Sequence, residues 1–299
     1  MHTAAATDPI SRRPALGLLA ALALALCGCA QSGPGGAGSA AATLPGERIA
    51  AIVASPERSA ADRSNDLRRK PEQMLAFMGL RPGMQALDLS AGGGYTTELL
   101  ARAVGPTGRV YGQSAPRNPQ APARLPAAPE GAAAPPPVPA PAAAPASAPV
   151  RRTSPEALAL RAANPALAHI VAVVRPFEDP APPELASAGL DLVTLMFNYH
   201  DLGFMGVDRD RMNRAVFAAL KPGGAYVIAD HSGRPGTGIS ESGTLHRIEE
   251  AFLRAEVEAA GFRLQQEGNF MRNPADPRDR NTPEPPQPKD EFVLKFVKP

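Results

Sequence analysis

Apolar and polar positions alternate along this chain in two rhythms. Short apolar runs stand at residues 85–89, 109–112, 170–174, 190–197, 225–230, 263–270 and 291–297. Each is short and bounded by turn formers, which predicts a strand rather than a helix. Between them the period lengthens. Residues 95–104 place Leu99, Leu100, Ala103 and Val104 on one face and stop at Gly105-Pro106. Ser154-Pro155-Glu156 reads as a helix start, with a cap residue followed by proline. Asp208 caps a helix carrying Met212, Val216 and Leu220 at four-residue spacing, ended by a turn at Lys221-Pro222-Gly223-Gly224. Residues 246–260 form a helix with Ile248, Phe252 and Val257 inward, an outward Glu250–Arg254 pair and Gly261 just past its end. Strand–helix alternation with apolar strands predicts an α/β fold, a mostly parallel sheet covered on both faces. No helix separates the last two strands, so they are expected to pair antiparallel.

Composition changes this picture in one place. The chain has 299 residues and 35 prolines, about 12% against the usual share of roughly 5%. The excess collects in residues 115–149, where Ala and Pro dominate without any period. Proline at that density blocks helix and ladder bonding, so a disordered or polyproline-like insertion is expected. The strand–helix pattern continues across it, so residues 46–299 read as one domain carrying an insertion. A formal net charge of +2, without a basic block, gives no electrostatic reason to expect a nucleic-acid partner.

The two cysteines, Cys27 and Cys29, sit close together before the domain, so neither a disulfide framework nor a cysteine zinc site is expected in its body. Residues 1–28 read as an export signal: Arg12-Arg13, then twelve apolar or small residues from 15 to 26, too few for a membrane span of around 20. Leu26-Cys27-Gly28-Cys29 resembles a bacterial lipobox with Cys29 as the lipidated residue. Residues 29–45, rich in Gly, Ala and Ser, then form a flexible tether. The expected location is the periplasmic face of an envelope membrane, held by the lipid on Cys29. Ser11 to Leu16 also resembles a twin-arginine signal, which would export the protein already folded.

Candidate chemistry begins where the first strand ends, at Asp88-Leu89-Ser90-Ala91-Gly92-Gly93-Gly94. Glycines between a strand and a helix allow a tight turn and close backbone approach to a ligand facing helix N-terminal amides. The G-x-G-x-x-G pyrophosphate fingerprint is absent, which sets a nicotinamide-dependent dehydrogenase aside. The stretch resembles motif I of class I S-adenosylmethionine-dependent methyltransferases. Leu190-Asp191-Leu192-Val193 resembles their fourth strand, and Leu220 to Gly224 the turn before their fifth. The wider pattern, from Arg69-Lys70-Pro71 through Asn198-Tyr199-His200-Asp201 to Arg272-Asn273-Pro274, resembles an exported bacterial group of predicted methyltransferases. The resemblance implies a Rossmann-like, doubly wound seven-stranded sheet of order 3-2-1-4-5-7-6 with the last strand antiparallel. It also implies S-adenosyl-L-methionine as cofactor.

On that resemblance Asp88, Ser90, Gly92, Gly93, Gly94, Ser114, Asp179 and Asn198 are the cofactor-binding candidates. Two departures stand out. Ser90 replaces the first motif glycine, acceptable where its backbone is not left-handed. The acid that would hold the ribose at the end of the second strand is missing, leaving Gln113 or Ser114 to serve. Methyl transfer needs a base only where the nucleophile starts protonated. His200, Asp201 and His231, at strand ends, are the catalytic candidates, and each can equally cap backbone there. His246 is expected to head a helix, exposed. The histidine spacing carries no ligand pattern, so no metal is expected. The acceptor is an unidentified small molecule. Residues 232–244, with four glycines, read as a mobile loop over the pocket. The alternative to an enzyme is an envelope-anchored ligand-binding protein that kept the fold and lost the chemistry.

Overall fold

The computed structural model describes residues 42–116, 152–187, 189–281, 283 and 287–299. The expected signal, Cys29 with nearly all of the tether, and the insertion from residue 117 onward lie outside the described residues. Among the described residues no helix is long and apolar enough to cross a membrane.

Seven strands form one sheet: β1 Gln85–Leu89, β2 Arg109–Ser114, β3 Ile170–Val174, β4 Leu190–Met196, β5 Leu220–His231, β6 Arg263–Gly268 and β7 Glu291–Val297. Their order is β3-β2-β1-β4-β5-β7-β6. The first five run parallel, and β7 lies antiparallel between β5 and β6. That is the sheet the sequence pattern and the resemblance predicted. Helices α1 Gly46–Val53, α2 Ala60–Arg69 and α3 Pro71–Met78 precede β1, and α4 Tyr95–Val104 follows it. α5 Ser154–Ala162, α6 Tyr199–Phe204, α7 Arg209–Ala219 and α8 Glu250–Ala259 complete the set.

Period-2 alternation sends neighbouring side chains to opposite faces and builds two cores. Ala86, Val227 and Ala229 face Met74, Leu75, Leu99 and Val104 from α3 and α4. Leu87, Tyr226 and Ile228 face Met212, Val216, Leu253 and Val257 from α7 and α8. Each such buried Leu or Val contributes about 1.5–3 kcal/mol of apolar burial.

Several local expectations are corrected. α8 begins at Glu250, not residue 246, because Ser232 bridges Ile248 and holds that residue in extended pairing with the end of β5. Glu250 and Arg254 do not pair: Glu250 takes Arg272 at 2.5 Å, and Arg254 takes Glu258 at 3.1 Å. The turn at Lys221 to Gly224 lies inside β5 as an irregularity. Leu220 pairs with Leu190 before the register shifts, and the Gly223 amide bonds the carbonyl of Lys298 at 2.8 Å. The cap of α5 is Thr153 rather than Ser154, in a reciprocal capping box with Glu156. Helices α1 to α3 had no counterpart in the sequence reading. Leu44, expected in the tether, packs against the first core.

Candidate functional site

All the candidate residues sit on the carboxyl side of the sheet, where open α/β sheets place ligands. At the end of β1, Asp88 is buried at 2% exposure. Its Oδ2 accepts from the Thr97 hydroxyl at 2.6 Å and its Oδ1 from the Thr194 hydroxyl at 2.8 Å. The backbone N–H of Thr97 also bonds it. Asp88 therefore ties β1 to β4 and caps the third residue of α4, from beneath the glycine turn. Burial pushes its pKa up from 3.8 to about 6, against the pull of those hydrogen bonds and of Arg69.

Above Asp88 the turn is built from special backbone. Ser90 has φ of 56°, in the left-handed region, so the condition under which serine replaces glycine without strain is not met. Its amide donates to Gln113 Oε1 at 3.0 Å, which holds that conformation. Gly94, with φ of 83°, has no room for a side chain: an added Cβ would stand 2.7 Å from Leu158 and 2.9 Å from Arg161. Gly92 and Gly93 are exposed, and a Cβ at Gly93 would meet nothing within 4 Å. That is the open cradle of the turn. Gly94 gives no side-chain cap, so the amides of Tyr95 and Thr96 in the first turn of α4 remain for a ligand. Arg161 of α5 locks the turn from outside, donating to the Gly93 carbonyl at 2.7 Å and pairing with Asp62 and Glu98.

The ends of β2 and β3 show what replaces the absent acid. Gln113 is fully buried and engaged at both ends, since its Nε2 donates to the carbonyl of Arg175 at 2.7 Å. Ser114 is the remaining side chain at the end of β2. Asp179, in the loop after β3, pairs with Arg175.

Beyond β4 a second polar cluster forms. Asn198 Nδ2 donates to Asp201 Oδ2 at 3.0 Å. His200, 2% exposed, has its Nδ1 2.6 Å from Asp230 Oδ1 and its Nε2 3.3 Å from Asp201 Oδ1. Burial works to depress the His200 pKa, but Asp230 and Asp201 outweigh it and push the value up to about 10. His200 therefore holds its proton at neutral pH and is not a free base. His231 is fully buried, with Nδ1 3.0 Å from Glu291. His246 does not head a helix and is not exposed as expected: it is half-buried, with φ of 52°, and its Nδ1 lies 2.9 Å from Asp201 Oδ1. His200, Asp201 and His246 thus bring three ligand-type atoms within 4.8 Å of one another, although the histidine spacing in the sequence carries no ligand pattern. Residues 232–244, expected as a loop over the pocket, form a series of turns packed on α6. Ser242 Oγ accepts from the Phe204 amide at 3.0 Å, and Ile239 lies against Gly203.

Between the two clusters lies an apolar recess lined by Arg69, Met74, Met78, Tyr95, Met196 and Phe197 among others. The Arg69 guanidinium lies 4.0 Å from the centre of the Phe197 ring. Sequence reasoning missed Arg69, Thr97, Arg161, Thr194 and Asp230 as parts of this end of the molecule. Thr194 alone carried a signal, a hydroxyl inside an otherwise apolar strand.

Residues 70–118, spanning α3, β1, the glycine turn, α4 and β2, match the family model of protein-L-isoaspartate (D-aspartate) O-methyltransferase. Among solved structures, a SAM-dependent methyltransferase from Aquifex aeolicus is similar at 17% identity, covering 86% of this chain and all of that one, with a TM-score of 0.51. The complex of the Haloferax volcanii Trm112 activator with a methyltransferase gives 18% identity, the same coverages and a TM-score of 0.49. The [4+2]-cyclase SpnF gives 16% identity over 80% of this chain and 81% of that one, with a TM-score of 0.49. No curated protein matches the sequence. The fold is that of the class I, SAM-dependent methyltransferases.

Proposed function

We propose that this protein transfers a methyl group from S-adenosyl-L-methionine to a small molecule. The observation that carries this reading is the β1–turn–α4 unit. Gly92 and Gly93 leave an open backbone cradle, and α4 presents uncapped amides, beside a recess bordered by the end of β4. Those features fit the amino-acid end of the cofactor, whose carboxylate suits a helix N-terminus. The donor set at the end of β2 fits the ribose less closely, since only Ser114 is left to bond it.

When bound, the cofactor supplies an electrophilic methyl on a sulfonium. The chain's own residues supply position and a dry surface, which account for much of the rate of such a transfer. Asp88 fixes the turn from below, and Arg161 fixes it from the side. Met74, Met78 and Met196 line the recess with apolar surface that excludes water and suits an acceptor with an apolar body. His200, already protonated, holds Asp201 and the β4–α6 turn in place instead of taking the acceptor's proton. The finer parts of the proposal are export and a lipid on Cys29, supported by the apolar leader and the lipobox-like residues. Loss of palmitate labelling in a Cys29→Ser variant would support them.

The chain incubated with methyl-tritiated S-adenosylmethionine and a small-molecule extract is expected to move label into an organic product while S-adenosylhomocysteine accumulates. Label that stays in the cofactor with every fraction offered would overturn catalysis. The neutral ribose end favours a second reading, a ligand-binding protein on the methyltransferase fold. Binding of S-adenosylhomocysteine without turnover would select it.

A further inference from the structure

We propose that His200, Asp201 and His246 form a binding site for one divalent transition-metal ion of the zinc or cobalt type. Three observations converge. First, two edges of the triad have the size a shared cation imposes, and the third lies within 4.8 Å. Asp201 Oδ1 lies 3.3 Å from His200 Nε2 and 2.9 Å from His246 Nδ1. Ligands about 2.0–2.1 Å from a metal stand roughly 2.9 Å apart at a right angle and roughly 3.4 Å apart at a tetrahedral one. Two imidazoles and one carboxylate are the donors that zinc, cobalt and iron(II) accept, and three protein ligands leave a position open for an outside molecule.

Second, the partners behind the triad are those of a metal site. His200 Nδ1 lies 2.6 Å from Asp230 Oδ1, and the His200 amide donates to the other oxygen of Asp230 at 2.8 Å. With Nδ1 engaged by Asp230, Nε2 is the ring nitrogen that faces Asp201 and would ligate. Asn198 fixes Asp201 through Oδ2, turning Oδ1 toward both histidines. The His246 ring is held edge-on to His200 and to Phe204. The adjoining Arg247 is fully buried on Asp276, so the segment that delivers His246 is anchored.

Third, charge and access agree. Asp201 and Asp230 both face His200, so two carboxylates stand where they would balance one divalent cation. The side chain of His246 is 33% exposed, which gives an ion a way in. An acceptor hydroxyl or thiol taking the open position would lose its proton more readily. That would supply an activation of the acceptor. This last role rests on the methyl-transfer reading, whereas metal uptake does not.

The purified full-length chain, stripped with chelator and titrated with Zn²⁺ and then with Co²⁺, is expected to bind one ion per chain. Bound Co²⁺ should show visible d–d bands, and the ion should raise the melting temperature. His246→Ala and Asp201→Asn, each melting cooperatively without metal, should lose at least 100-fold in affinity together with the cobalt bands. No uptake by the wild type would overturn the site. So would uptake unchanged in both variants, which would place the ion on Cys27 and Cys29 or at the surface. Uptake that is lost in the variants while no methyl transfer is found would uphold the metal site and reject the methyl-transfer reading alone.

Discussion

Replacing Asp88 by Asn separates what this carboxylate does for the fold from what its charge costs. Asp88 is 2% exposed, and its pKa is pushed from 3.8 to about 6 by burial. A raised folded-state value means that the native chain binds this proton more tightly than the unfolded chain does. The group's stabilising contribution is therefore complete below about pH 4 and is lost as pH rises through 6. At about 1.4 kcal/mol per pH unit, the ionised carboxylate at pH 7 costs the fold roughly 3 kcal/mol relative to its protonated form. Asn removes that charge and keeps the shape. Its oxygen can accept from one threonine hydroxyl, while its amide donates to the other after that hydroxyl rotates. Urea unfolding of Asp88→Asn is expected to show a gain of about 1–3 kcal/mol at pH 7, shrinking to nothing near pH 4. The wild type alone should lose stability between those values. A variant less stable than the wild type at pH 7, with the pH 4–7 slope intact, would show that Asp88 is stabilised as an anion and that the argument from burial is wrong.

Other substitutions probe the same end of the sheet. Ser90→Gly relieves a left-handed serine and should gain about 0.5–1 kcal/mol in denaturant unfolding. Gly112→Ala would put a Cβ 2.6 Å from Leu158. It should cost about 1–3 kcal/mol, with part of that recovered in a Gly112→Ala/Leu158→Ala double variant relative to additivity. Arg247→Ala leaves Asp276 buried without its ion pair, held only by the amides of Arg278 and Asp290. A loss of about 3–5 kcal/mol is expected by thermal or urea melting, and a loss below 1 kcal/mol would refute the anchoring role given to Arg247.

Where apolar blocks were closed by strong punctuation, the sequence sufficed. β3, β7 and α4 end where the pattern says, because glycine, proline or a polar cluster stops each one. α2 was not readable for the opposite reason. Its sequence is polar all round, and its one buried residue, Asp62, is held by Arg161 from beyond the insertion. No local signal contains such a pair. The glycine turn was readable as a ligand loop, yet the left-handed Ser90 was not, since only the distant Gln113 side chain holds it there. The His200–Asp201–His246 cluster was hidden by 45 residues of separation. It also depended on where α8 starts, and the short pairing of Ser232 with Ile248 decides that start.

Calorimetric titration of the purified chain with S-adenosylhomocysteine, beside a Gly93→Val variant, puts the proposed cofactor site to the test. Gly93 is exposed and has nothing within 4 Å of an added Cβ, so valine should leave the melting curve unchanged while filling the cradle. One molecule bound per wild-type chain, with binding lost in Gly93→Val, is the predicted result. No heat from the wild type at millimolar ligand, or equal binding by the variant, would contradict a cofactor seated on the glycine turn.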